Sequence, residues 1–87
     1  MKEIPFNEVK EGQVIRLKKD PCAIYTRLSD TKKGNSRFQP INAYGERRGH
    51  WARFCSRWHC ILLETQEEIT AAVKAKLDQL GGDYRTP

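Results

Sequence analysis

Apolar residues in the first two thirds of the chain recur in short runs with a period near two, and beyond them the period lengthens. Val14-Ile15-Arg16-Leu17 reads as one strand and residues 23–28 as a second, with Ile24, Thr26 and Leu28 on one face and Tyr25 and Arg27 on the other. Lys18-Lys19-Asp20-Pro21 between them is a turn, since proline holds φ and has no N–H for a ladder. Residues 6–12 form a lead-in with two apolar anchors, Phe6 and Val9, and a closing glycine. Residues 29–36 contain no apolar side chain and are rich in turn formers, which predicts a solvated, flexible loop carrying Lys32 and Lys33. Strand character resumes over 37–44, where Pro40 favours a sheet edge or a bulge. A turn over 45–49 has glycine at both ends and marks a hairpin. Residues 50–54 and 58–63 complete five strands, separated by a break at Cys55-Ser56-Arg57.

The longer period begins at Ile69, which with Ala72, Val73, Leu77 and Leu80 follows the i, i+3, i+4 spacing of one helix face. This predicts an amphipathic helix over 65–81. Thr65 supplies an N-cap hydroxyl and Glu68, three residues on, completes a capping box. Gly81-Gly82 stops the helix and leaves a polar, frayed tail over 82–87. Exposed, the narrow apolar stripe would be unfavourable, so the helix is expected to lie as a lid on the open end of a barrel.

A chain of 87 residues holds one domain, because two independent cores would bury too little area. No apolar run approaches the roughly 20 residues of a membrane span, and Met1-Lys2-Glu3-Ile4-Pro5 lacks the apolar centre of a signal peptide, so a cytoplasmic protein is expected. Three cysteines, Cys22, Cys55 and Cys60, make no even disulfide framework and fit a reducing compartment as free, buried thiols. The net charge of +5 is unevenly placed: residues 1–63 carry thirteen basic and six acidic side chains, residues 64–87 three and five. The positive field therefore belongs to the N-terminal body, where it attracts phosphates or acidic protein surfaces over roughly 8 Å at physiological salt.

The pattern Phe6-x-x-Val9-x-x-Gly12, followed by Tyr25-x-Arg27, Asn42-Ala43-Tyr44 and the closing Cys60-Ile61-Leu62, resembles the small SH3-like barrels encoded by many tailed bacteriophages. The resemblance covers roughly residues 4–64 and implies a mainly β fold, a five-stranded SH3-like barrel, followed here by the C-terminal helix. It implies a phage accessory binder working in the host cytoplasm, and it carries over no active-site residue.

The densest chemistry lies in residues 44–60, where Arg47, Arg48, Arg53 and Arg57 are interleaved with Tyr44, Trp51, Phe54 and Trp58. Guanidinium forks match phosphate oxygens bidentately and aromatic faces stack on unpaired bases, so the mixture suits single-stranded nucleic acid or structured RNA. Strand alternation places Trp51 and Arg53 on one face and Ala52 and Phe54 on the other. A domain this small needs large rings for packing, so Trp58 and Phe54 are expected chiefly in the core, with Trp51 the better contact residue. His50, Cys55, His59 and Cys60 lack zinc-ligand spacing, and His59 and Cys60, being adjacent, point to opposite faces of a strand. Neither a phosphate-binding glycine loop nor a paired-carboxylate motif occurs. The sequence thus predicts a non-enzymatic binder with no cofactor and no membrane contact. Nucleic acid would be held by Arg47, Arg48, Trp51, Arg53, Arg57, Tyr44, Lys32 and Lys33. Alternatively, the same surface is the hot spot of an inhibitor or adaptor directed at a host enzyme or nucleoprotein complex. An open edge at 37–44 would also permit homodimerisation.

Overall fold

The computed structural model describes residues 1–79. Five antiparallel strands, β1 (Lys2–Pro5), β2 (Val14–Arg16), β3 (Ile24–Arg27), β4 (Phe38–Ile41) and β5 (His59–Leu63), form one sheet in the order β1-β5-β2-β3-β4, and a helix, α1 (Gln66–Gln79), follows. The chain is mainly β with a C-terminal helix, as its patterning predicts. The sheet is open: β1 and β4 are its end strands, and no closed barrel forms.

Apolar side chains lie on both faces of this sheet. Ile15 pairs with Leu62 and with Tyr25, whereas the next residue back, Val14, pairs with Leu63 and Thr26, so neighbouring positions on β2 serve opposite faces. On one face Ile4, Ile15, Cys60 and Leu62 pack with Phe38 and with Phe6 and Val9, the first residue and the C-cap of a single 3-10 turn at Phe6–Glu8. On the other, Ile24, Ile41 and Leu63 receive Ile69, Ala72 and Val73 of α1. A strand covered on both sides can be apolar without interruption, which is why Cys60-Ile61-Leu62-Leu63 sits in β5, between β1 and β2. Ile15 and Cys60 are fully buried; an aliphatic side chain such as Ile15 contributes about 1.5–3 kcal/mol on leaving water.

The capping box forms as predicted: the Glu68 N–H donates to Thr65 Oγ1 at 3.2 Å, and the Thr65 N–H donates to Glu68 Oε1 at 3.2 Å. Near its other end Lys76 Nζ donates to the Ile41 carbonyl at 2.8 Å, tying α1 to the end of β4. The helix therefore lies on a face of the sheet instead of lidding a barrel end. Leu80, Gly81 and the tail 82–87 fall outside the described residues.

Several sequence-derived boundaries are corrected. β1 was hidden in Lys2-Glu3-Ile4-Pro5, where only Ile4 is buried; pairing of Ile4 with Cys60 makes it a strand, and Pro5 is tolerated at the end of an edge strand. Residues 50–54 are no regular strand. Only Ala52 bridges to Phe38, through two bonds of 2.8 and 2.9 Å, before the chain turns inward at Phe54. The predicted 37–44 strand shortens to β4 because Asn42 Oδ1 accepts the N–H groups of Tyr44 and Glu46 at 2.9 Å each and bends the chain. Nor is its edge open: besides the Ala52 bridge, Ile41 bridges to Arg47 and the Arg48 N–H donates to the Pro40 carbonyl at 3.1 Å, so residues 47–52 cover it. The loop at 29–36 is tied down by Arg27, which pairs with Asp30 and bonds Ser36, and by Arg37, which donates to the Ser29 carbonyl and hydroxyl.

Candidate binding surface

Residues 47–58 form a strip that runs along the free side of β4 and then across the 3-10 turn, and its attachment points explain what it exposes. At one end Arg47 lies opposite Ile41, and further on Ala52 lies opposite Phe38. Because Ala52 shares the inward face with Phe38, the residues on either side of it, Trp51 and Arg53, point away from the core, as alternation predicts. Phe54 returns inward. Its ring stacks on Phe6 with centroids 4.6 Å apart and meets Tyr25 and Phe38 edge-on at 5.1 and 5.4 Å. Each aromatic pair of this kind contributes about 0.5–1.5 kcal/mol beyond area burial, so one ring pegs a segment that has no ladder of its own.

Beyond the peg, a turn closed by the Trp58 N–H and the Cys55 carbonyl (3.0 Å) is docked on the lead-in. Phe6 N–H donates to the Trp58 carbonyl at 2.8 Å and Asn7 N–H to the Ser56 carbonyl at 3.1 Å. The turn engages Trp58's backbone and leaves its side chain outside. Trp58 is 66% exposed and Trp51 45%, so the expected burial of Trp58 is overturned while that of Phe54 holds in part. An indole beside an apolar strand looks like that strand's first residue. Here β5 begins one position later, at His59.

Arg47, Arg48, Arg53 and Arg57 are all exposed. Among the described residues Arg47, Arg53 and Arg57 form no ion pair, and Arg48 reaches Glu46 only at 3.9 Å between exposed groups, an interaction worth little in water. A further signal for the strip was available in the sequence: no acidic residue occurs between Glu46 and Glu64. Tyr44, half-buried, precedes the strip. Lys32 and Lys33 are exposed on a separate turn, closed by Gly34 N–H to the Thr31 carbonyl and Thr31 N–H to the Asn35 carbonyl, both 2.9 Å. They lie in the loop between β3 and β4 and are not part of the strip. Gly45 and Gly49, at φ +79° and +97°, begin and end the bend that carries Arg47 and Arg48; side chains with a Cβ rarely adopt such angles.

The sulfur and imidazole groups diverge. Cys60 is buried with Sγ toward the Ile4 carbonyl at 3.6 Å, whereas the adjacent His59 is exposed, its Nδ1 2.8 Å from Glu3 Oε2. Among the described residues no group of three His, Cys, Asp or Glu side chains is placed to hold a metal ion. The Glu3 carboxyl is held below its ordinary range by His59 and Lys18. Of the three thiols expected to be buried only Cys60 is: Cys22 is half-buried, and Cys55 is exposed at the start of the turn that follows the Phe54 peg. The Cys55 thiol is lowered chiefly by the backbone N–H of Arg57 and further by that residue's guanidinium. Two grooves, of about 260 and 430 Å³, flank α1; the residues lining them, among them Arg16, Pro21 and Ala75 in one and Gln13, Val14 and Ile69 in the other, include none of the strip. No helix among the described residues is long and apolar enough to cross a membrane. No family model, curated protein sequence or solved structure matches the chain.

Proposed function

We propose that this chain is a small non-enzymatic binding domain that holds nucleic acid on the strip 47–58. The observation that carries the reading is the pairing of exposed guanidinium groups with exposed indoles on a segment fixed by the Phe54 peg. Arg47, Arg48, Arg53 and Arg57 supply phosphate contacts, with Lys32 and Lys33 as outlying charge and Tyr44 as a half-buried flank. A pegged strip of this kind recognises by contact, and its chemistry requires no cofactor.

The strand order also supports the finer fold reading of an SH3-like barrel that has not closed: β2, β3 and β4 follow one another, the 47–52 segment adds a partial fourth member, and β5 returns beside β2. A phage-encoded accessory role is what the motif resemblance implies. A protein partner is the second reading, favoured by the same two exposed tryptophans among arginines, the residue types that dominate binding hot spots.

The test is a double substitution, Arg47→Gln with Arg48→Gln, assayed against a panel of mixed-sequence oligonucleotides over a range of salt. Affinity falls for every sequence, and the log–log salt slope shrinks by roughly 0.7 for each single-strand phosphate that is no longer neutralised. Unchanged affinity across the panel removes the nucleic-acid reading. Capture of a protein by the immobilised domain from nuclease-treated lysate, abolished by the same double substitution, establishes the second reading in its place.

A further inference from the structure

We infer that the strip takes unpaired nucleotides, with Trp51 and Trp58 as two stacking platforms on either side of the Phe54 peg; this rests on the nucleic-acid reading above. Charge alone would not require it. A duplex presents phosphates outward and hides its base faces, so a domain reading duplex backbone needs arginines and gains nothing from exposed indoles.

This surface keeps both. Trp58 leaves two thirds of its surface in water and Trp51 nearly half, although each is separated by a few residues from Phe54, which found a place among three other rings. The backbone accounts for the difference. The Cys55–Trp58 turn and the Ala52 bridge hold the two indoles outward, while Arg53 and Arg57 bring cations within one or two positions of each ring along the chain. An unpaired strand offers what that arrangement lacks: flat π faces for the indoles and phosphates between them for the guanidinium groups. Because the Phe54 peg, the Ala52 bridge and the bonds from Phe6 and Asn7 fix the strip beforehand, little ordering is left to oppose binding.

The chain has two tryptophans, both on the strip, so intrinsic fluorescence reports on the proposed platforms directly. The intact chain is titrated with a mixed-sequence strand of about sixteen nucleotides, the upper end of usual site sizes, in deoxy and ribo forms, and with the corresponding DNA duplex. Quenching by the single strands at concentrations where the duplex leaves emission unchanged is expected, and the ratio of the deoxy and ribo affinities assigns the sugar. Trp51→Ala and Trp58→Ala, checked for folding by circular dichroism and measured by anisotropy of a labelled strand, each weaken single-strand binding by roughly 5- to 150-fold, the fold-change equivalent of about 1–3 kcal/mol per stacked base. Trp58→Phe, which keeps a ring, restores most of it. Equal binding of duplex and single strand, unaffected by either alanine substitution, overturns the platforms and leaves the basic nucleic-acid surface standing. No response to any nucleic acid overturns both.

Discussion

The helix α1 and the strip 47–58 are both laid against the same small sheet, and they expose opposite things. The helix turns Ile69, Ala72 and Val73 onto Ile24, Ile41 and Leu63 and leaves mostly short or charged side chains outside, including Glu67, Lys74 and Asp78. The strip turns Phe54 inward, with the small Ala52 beside it, and leaves two indoles and four guanidinium groups outside. A helix spreads its anchorage over several weak contacts and satisfies its own backbone. The strip has no internal ladder and depends on one ring and a few bonds to its neighbours. What is exposed on the helix is what dissolves well; what is exposed on the strip is what the proposed binding function requires.

That contrast is broken most directly at the peg. Phe54→Ala removes the ring that meets Phe6, Tyr25 and Phe38 and is expected to cost about 3 kcal/mol, the lower end for a Phe→Ala change because Phe54 is only half-buried. Trp58→Ala, a larger truncation on the same strip, stays within about 0.5 kcal/mol because its side chain already lies in water. Urea unfolding of the two variants side by side decides it. Equal destabilisation would mean that Trp58 packs against the body, and the strip would then be structural throughout.

On the other face the expected effect is smaller. Ile69→Ala withdraws one of the several partly buried side chains that α1 lays on the sheet and should cost about 2 kcal/mol, the bottom of the range for such truncations. Thr65, Glu68 and Lys76 still hold the two ends of the helix, so the helical circular-dichroism signal should persist below the unfolding transition. Disappearance of that signal at low denaturant, with the sheet intact, would show that α1 hangs on Ile69 much as the strip hangs on Phe54.

The two regions also differed in how far they could be read from residues alone. The helix was legible because its determinants are local: the 3.6-residue spacing, the Thr65–Glu68 box and the change of period after Leu63 all lie within about twenty positions. The cores of β2, β3 and β5 were legible for the same reason. β1 was not, since Lys2-Glu3-Ile4-Pro5 becomes a strand only through β5, far along the chain. The failure of 50–54 to form a strand has a similar origin: three distant rings compete for Phe54 and end the pairing after one bridge. The alternation about Ala52 still sorted Trp51 and Arg53 from Phe54 correctly. The outward Trp58 was missed because strand propensity says nothing about a turn whose bonds run to Phe6 and Asn7. The acid-free interval from Glu46 to Glu64 marks the surface more sharply than any single motif.

The cysteines give the finest comparison, because the strip and the sheet each carry one. Cys55 is exposed on the strip and ionises more readily than an ordinary thiol, owing first to the Arg57 backbone N–H. Cys60, further along the chain, is fully buried in β5, and burial pushes its thiol up to about 11. Since the thiolate is the nucleophile, a thiol reagent at about pH 7 should modify Cys55 quickly and Cys60 only when denaturant opens the sheet, as peptide mapping would reveal. The sign of the linked stability follows from the raised value. Cys60 is harder to ionise folded than unfolded, so its contribution is full below the ordinary thiol range near about 8.5 and is lost as the pH rises through about 11. Cys60→Ala should flatten that alkaline decline while Cys55→Ser leaves it in place. Native-state labelling of Cys60 at the rate of Cys55 would place β5 within reach of water, and the division between a sealed sheet and an outward strip could not be kept.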